Sequence, residues 1–151
     1  MSKGLTNSYL EKITKRLIGP SFLGVLPCDV YPKKTKSSFS LIFNTGRQYT
    51  NGEHFVAIRA QKNIVFYFDP FGEPPKNVFI KNFLSGLNRP VQSNRVQIQD
   101  DTSNFCGFYC LAYLMSSKKK MNLDRFINLF STKKKKENDK KVIQFIVSNI
   151  K

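Results

Sequence analysis

The stretch HFVAIRAQKNIVFYFDPFG, residues 54–72, holds two β-branched and aromatic runs around a polar centre, and its reading decides the fold. Residues 54–60 and 63–69 read as antiparallel strands of a hairpin, with Gln61-Lys62 as a two-residue loop. In that register paired positions sum to 123, so His54 faces Asp69 across the sheet. Directly opposed β-carbons lie about 4.5–5.5 Å apart, close enough for a carboxylate to orient an imidazole. A three-residue loop would instead turn Asp69 to the other face. On the residues alone two readings stand: an oriented histidine, or a histidine that ends a strand and an aspartate that caps a turn. His54 is the only histidine, so any imidazole chemistry runs through it.

Working outward, residues 69–75 (Asp-Pro-Phe-Gly-Glu-Pro-Pro) must be a turn. Val78, Phe79, Phe83, Leu84 and Leu87 then keep a helical period. Residues 95–99 alternate as a short strand, and residues 99–104 form a polar loop. Residues 106–115 are almost wholly apolar and long enough for a buried helix, followed by helices over 123–130 and 140–149. On the N-terminal side, residues 39–44 read as another strand, with Thr45-Gly46 and Asn51-Gly52 punctuating the connections. Residues 30–38 form an exposed basic loop with Lys33, Lys34 and Lys36, and residues 22–26 are extended. An amphipathic helix opens the chain, with Ser8 and Glu11 at capping-box spacing and Gly19-Pro20 ending it. Strands enclosed between helices predict one α+β domain over residues 1–151, with a central mixed sheet flanked by helices.

Composition narrows the function classes. Forty per cent hydrophobic residues, with fourteen Phe, are enough for a sizeable core and exclude a mainly disordered chain. Lys and Arg number 25 against 10 Asp and Glu, a formal charge of +15 that favours polyanionic partners. Cys28, Cys106 and Cys110 form no disulfide framework, which points to a reducing, intracellular setting. No apolar run reaches the roughly 20 residues of a membrane helix, and residues 1–5 lack a signal core. Glycine-rich phosphate loops, Cys-x-x-Cys pairs and RNA-binding aromatic signatures are absent from the sequence.

Cys106-Gly107-Phe108-Tyr109-Cys110 follows the polar loop and opens the apolar helix. A thiol at a helix N-terminus feels the positive end of the dipole, which favours thiolate. Unpaired backbone N–H groups there would meet an oxyanion, and Gly107 leaves substrate access open. The alternative is that Cys106 is a small buried hydrophobe, as Cys110, one turn further on, is expected to be. A metal site from Cys106, Cys110 and His54 does not match common zinc spacings.

Taken in order, these segments resemble the adenovirus maturation protease (adenain) family, within the wider group that includes SUMO-cleaving proteases. Gly19-Pro20-Ser21-Phe22-Leu23-Gly24 is similar to its Gly-Pro-x-Phe-Leu-Gly block. Asn44-Thr45-Gly46-Arg47 resembles its Asn-Thr-x-Gly-Arg, one residue shorter. Gly52-Glu53-His54 resembles its Gly-x-His, and Phe68-Asp69-Pro70-Phe71-Gly72 its Phe-Glu-Pro-Phe-Gly. Cys106-Gly107-Phe108-Tyr109-Cys110 is similar to its Cys-Gly-Leu-Phe-Cys, and Gln99 stands seven residues before Cys106, as its oxyanion glutamine does. The resemblance runs from the first helix to about Leu114. It implies a cysteine endopeptidase with His54 as general base, Asp69 orienting it, Cys106 as nucleophile, and Gln99 with the Cys106 N–H as oxyanion hole. It also implies cleavage next to glycine in capsid precursors. Phe55 replaces the family's Trp, and no cysteine between His54 and Cys106 is available to tether an activating peptide. The short C-terminal region resembles compact relatives in virophages and Polinton-type (Maverick) elements.

That resemblance implies no cofactor for the chemistry itself, with DNA or an untethered peptide as activator. Capsid precursors are the expected substrates, and an infected cell and the virion the expected setting of a monomer. Of the 34 residues from Lys118 onward, eleven are basic and three acidic. Lys118, Lys119, Lys120, Lys133, Lys134, Lys135 and Lys136, with Lys33 and Lys34, are candidate contacts for nonspecific DNA binding; a solvated face is the other reading. Two further readings are a ubiquitin-like-protein (SUMO-type) deconjugating protease and a nucleic-acid-binding protein on an idle protease fold.

Overall fold

The computed structural model describes residues 6–47 and 54–150. The Asn51-Gly52 punctuation, the Gly52-Glu53 part of the Gly-x-His segment and residues 1–5 lie outside the described residues. Five strands form one mixed sheet in chain order: β1 (Phe22–Pro27), β2 (Phe39–Asn44), β3 (Phe55–Gln61), β4 (Ile64–Phe68) and β5 (Val91–Ser93). The outer pairs, β1–β2 and β4–β5, are parallel, and the two inner pairs are antiparallel.

Helices α1 (Asn7–Ile18), α3 (Cys106–Lys118), α4 (Leu123–Ile127) and α5 (Asn138–Asn149) share one core with the sheet, while α2 (Val78–Gly86) shares a second. Along β3, Phe55 and Ala57 enter the first core and Val56, Ile58 and Ala60 the second. Side chains alternate across a strand, and here both faces are covered, so the strands read as unbroken apolar runs. Helix α3 is apolar around its circumference because sheet and helices enclose it: residues 109–116 are all buried. Phe126, with no exposed surface, meets Phe68, Tyr113, Phe130 and Phe145 at ring separations of 5.2–5.9 Å. This aromatic cluster pins α4 and α5 against α3 and β4.

Three expectations from the sequence are corrected. The β3–β4 register pairs Gln61 with Ile64 and Ala57 with Phe68, so the two-residue turn is Lys62-Asn63 and not Gln61-Lys62. Asparagine suits a turn better than glutamine because its short side chain mimics backbone acceptors. A shift of two keeps every side chain on its face. Residues 95–99 form no strand; β5 lies earlier, at Val91–Ser93. Beyond it, Ile98 and Gln99 N–H both donate to Pro70 O, 3.0 Å each. The Ser8–Glu11 capping box is also not formed. Thr6 caps α1 by accepting from Tyr9 N–H, and Glu11 Oε1 instead accepts from Val25 N–H at 2.8 Å. The register between β1 and β2 slips between Phe22 and Val25, and the carboxylate takes the donor exposed there.

Gly24 makes that approach possible. Its φ is +140°, and a Cβ there would lie 2.6 Å from Glu11 Oε1. Gly24→Ala is therefore expected to lower stability by about 1–3 kcal/mol through backbone strain and a displaced Glu11. A urea denaturation midpoint checks it, with no change counting against the contact.

Candidate active site

Asp69 leaves β4 and starts a turn over residues 69–72, closed by Gly72 N–H donating to Asp69 O at 2.8 Å. Aspartate first, proline second and glycine fourth is the residue order such a turn favours. The Asp69 carboxylate folds back on its own turn, Oδ1 accepting from Phe71 N–H at 2.8 Å. The same oxygen lies 2.7 Å from His54 Nε2. His54 sits just ahead of β3, and in the observed register it and Asp69 are diagonal rather than direct neighbours. Diagonal β-carbons lie about 7–8 Å apart, a gap two such side chains span. The sequence-based contact survives the wrong register because the error was an even number of residues.

Asp69 occupying Nε2 leaves Nδ1 of the ring for Cys106, to which His54 is also hydrogen-bonded. Cys106 is the first residue of α3 and is partly exposed, whereas Cys28 and Cys110 are buried. Burial pushes the Cys110 thiol well above its usual range, which keeps it protonated. Thr6, Asn77 and Asn122 cap α1, α2 and α4 with side-chain acceptors, but Phe105 offers none to α3. Phe105 N–H itself donates to Ser103 Oγ at 3.1 Å. Phe71 stacks on the imidazole, centroids 4.7 Å apart at 31°, and holds the ring plane.

Burial alone would lower the His54 pKa. Hydrogen bonds to Asp69 and Cys106, and the charges of both, outweigh it and raise the pKa to about 9. A raised pKa contributes stability fully present below the unfolded value of about 6.5 and lost as pH rises through about 9. We expect wild-type stability to fall by on the order of 3 kcal/mol across that window relative to His54→Gln. Denaturant midpoints of both proteins from pH 6 to 10 check this; parallel curves would contradict it.

Asn94, a residue the sequence reading did not single out, clamps Asp69 from behind. Its Oδ1 accepts from Asp69 N–H at 2.9 Å and its Nδ2 donates to Asp69 O at 2.6 Å, both buried. A side-chain amide thereby completes the pairing that a strand would have supplied. Little in the sequence marks it, since an asparagine after a short strand has many uses.

Gln99 is fully buried, and its Nε2 donates to Ser103 O at 3.0 Å and Ser103 Oγ at 3.1 Å. Its Oε1 has no hydrogen-bond partner among the described residues. The candidate phosphate contacts fall into three separate patches. Lys33 and Lys34 are exposed before β2. Lys118, Lys119 and Lys120 lie at the end of α3 opposite Cys106, about 18 Å away at 1.5 Å per residue; Lys118 Nζ donates to Leu17 O at 2.9 Å. Lys133, Lys134, Lys135 and Lys136 line a groove with Asp100, next to Gln99. Among the described residues no group of three or more His, Cys, Asp or Glu could hold a metal ion, and no helix is long and apolar enough to cross a membrane.

No protein-family model and no curated protein matches the chain. Solved structures similar to it include the ASFV pS273R protease, 23% identical with a TM-score of 0.44 over 68% of this chain and 42% of that one. The match thus spans less than half of that protease's length. Another is the central domain of the uncharacterized Lpg1148 protein from Legionella pneumophila, 12% identical with a TM-score of 0.46 over 95% of this chain and 99% of that one.

Proposed function

We propose that the chain is a cysteine endopeptidase that acts through Cys106, His54 and Asp69. The observation that carries this is one imidazole hydrogen-bonded on one side to a buried carboxylate and on the other to a partly exposed thiol at a helix start. In this mechanism His54 takes the Cys106 proton and later gives it to the leaving amine. Asp69 fixes the tautomer and stabilises the imidazolium. The raised His54 pKa supports an imidazolium that persists at neutral pH. Gln99 and the Cys106 N–H receive the oxyanion, and water hydrolyses the thioester.

The resemblance of the sequence motifs to adenain supports capsid precursors of a virus, virophage or Polinton-type element as substrates, cut beside glycine. Coexpression with such a precursor tests it: wild type cleaves and Cys106→Ala does not. Equal processing by both proteins sinks the assignment for that substrate.

The charge supports nonspecific binding to packaged DNA. Lys133 to Lys136 line one groove, so replacing all four with Gln should weaken binding to a 20-base-pair duplex. It should also flatten the dependence of log affinity on log salt by up to about 3–4, at roughly 0.9 per phosphate contact. An unchanged slope would assign these lysines to a merely solvated face.

A further inference from the structure

At the end of β3 opposite His54, Arg59 pairs directly with Ser40 of β2, so the two side chains share one face of the sheet. Arg59 is half-buried on the side covered by α3. Its Nε donates to Tyr113 OH at 3.4 Å, and its guanidinium lies 4.5 Å from the centre of the Phe66 ring. The ion pairs among the described residues are His54–Asp69 and Lys76–Glu73, so no carboxylate neutralises Arg59. Ser40 is 5% exposed, and its Oγ has no hydrogen-bond partner among the described residues. Buried hydroxyls are nearly always paired, so an orphan beside an unpaired guanidinium points to a ligand that accepts from both.

Both residues line a cavity of about 170 Å³ with Ser21, Ser38, Ser117 and Lys118, and no Asp or Glu is among its lining residues. Helices α1 and α3 both end here, and bare terminal carbonyls would repel an anion. Lys118 Nζ covers Leu17 O at 2.9 Å, and Ser117 Oγ covers Leu114 O at 2.6 Å. The rest of the polar lining is hydroxyls and two positive charges. Pockets for drug-sized ligands run about 300–1,000 Å³, so this one suits a group of a few heavy atoms.

We propose that this cavity binds a phosphoryl group or inorganic phosphate, with the Arg59 fork and the Ser40 hydroxyl as donors and Lys118 as supporting charge. The planar guanidinium offers paired N–H donors that match two oxygens of a tetrahedral anion. The site is distinct from the groove of Lys133 to Lys136 and does not rest on Cys106 being a nucleophile.

The probe is sodium phosphate, titrated at constant ionic strength into ¹⁵N-labelled protein while backbone amide shifts are followed. Wild type should show saturable one-site shifts at Ser40, Arg59 and Lys118. Arg59→Gln and Ser40→Ala should each weaken that binding by about 10- to 100-fold, the loss of a hydrogen bond to a charged group. Ser40→Ala deletes only an unpartnered hydroxyl, so it should keep wild-type stability and carries the test alone if Arg59→Gln does not fold. Replacing Lys133 to Lys136 with Gln should leave phosphate affinity within about 3-fold. A 20-base-pair duplex separates the sources. If Arg59→Gln weakens duplex binding as much as phosphate binding, the phosphoryl group belongs to a nucleic-acid backbone; if duplex binding holds, it belongs to a small free anion. Shifts that do not saturate, phosphate binding that Ser40→Ala leaves intact, or binding lost only in the lysine variant would each overturn the site.

Discussion

Cys106→Ala and His54→Ala should each abolish turnover of p-nitrophenyl acetate, with losses on the order of 10⁴-fold in kcat/KM. Cys110→Ala should leave it within about 3-fold. The asymmetry between two cysteines one helical turn apart follows from where α3 puts them. Cys106 meets the imidazole at the helix start, while Cys110 is fully buried with its thiol kept protonated. Asp69→Asn should fall between these extremes, about 10²- to 10⁴-fold down, because an amide can hold the ring but not stabilise its charge. Circular dichroism on each variant establishes that the fold persists. Equal activity of Cys106→Ala and wild type would remove Cys106 from the chemistry.

Asn94→Ala is expected to cost about 2–4 kcal/mol of stability, because it leaves the buried Asp69 N–H without a partner and takes from Asp69 C=O one of its two donors, the other being Gly72 N–H. The orphaned N–H costs about 1–3 kcal/mol and the lost bond to the carbonyl about 1 kcal/mol more, and the methyl that remains replaces neither. The same change frees the Asp69 turn, so turnover should drop even under conditions where the variant is folded. The Asp69 hydrogen bond, the largest of the contributions that together outweigh the burial of His54, is then weakened, and the raised pKa should fall back toward the ordinary value. Urea unfolding and NMR titration of the single histidine read the two effects separately. A destabilised variant with an unmoved histidine pKa would assign Asn94 to the fold alone.

How much of this was legible in the sequence depended on distance along the chain. The strands β2, β3 and β4 were readable from their apolar, β-branched runs, because both faces of the sheet are buried. His54 and Asp69 could be paired even with the turn misplaced, since a two-residue error preserves the face. Cys106 stood out because a polar loop gives way abruptly to an apolar helix. Asn94 was not legible, as its work is done by a side chain across a long separation. The Asn94 amide substitutes for a ladder. The alternation at residues 95–99 mimicked a strand, but the hydrogen bonds of Ile98 and Gln99 go to Pro70, not to a neighbouring strand. Glu11 looked like a capping partner, and a register slip in β1 claimed it instead.

The central claim is that His54 activates Cys106, and its most direct test is the pH profile of Cys106 alkylation by iodoacetamide in wild type and His54→Ala. With Cys28 and Cys110 both replaced by Ala, only the candidate nucleophile reports. The account predicts a wild-type rate on the order of 100-fold faster at pH 6 to 7, where the imidazolium partner is present. The two curves should converge as pH rises through about 9 and His54 loses its proton. Superimposable curves from pH 6 to 10 would contradict the account.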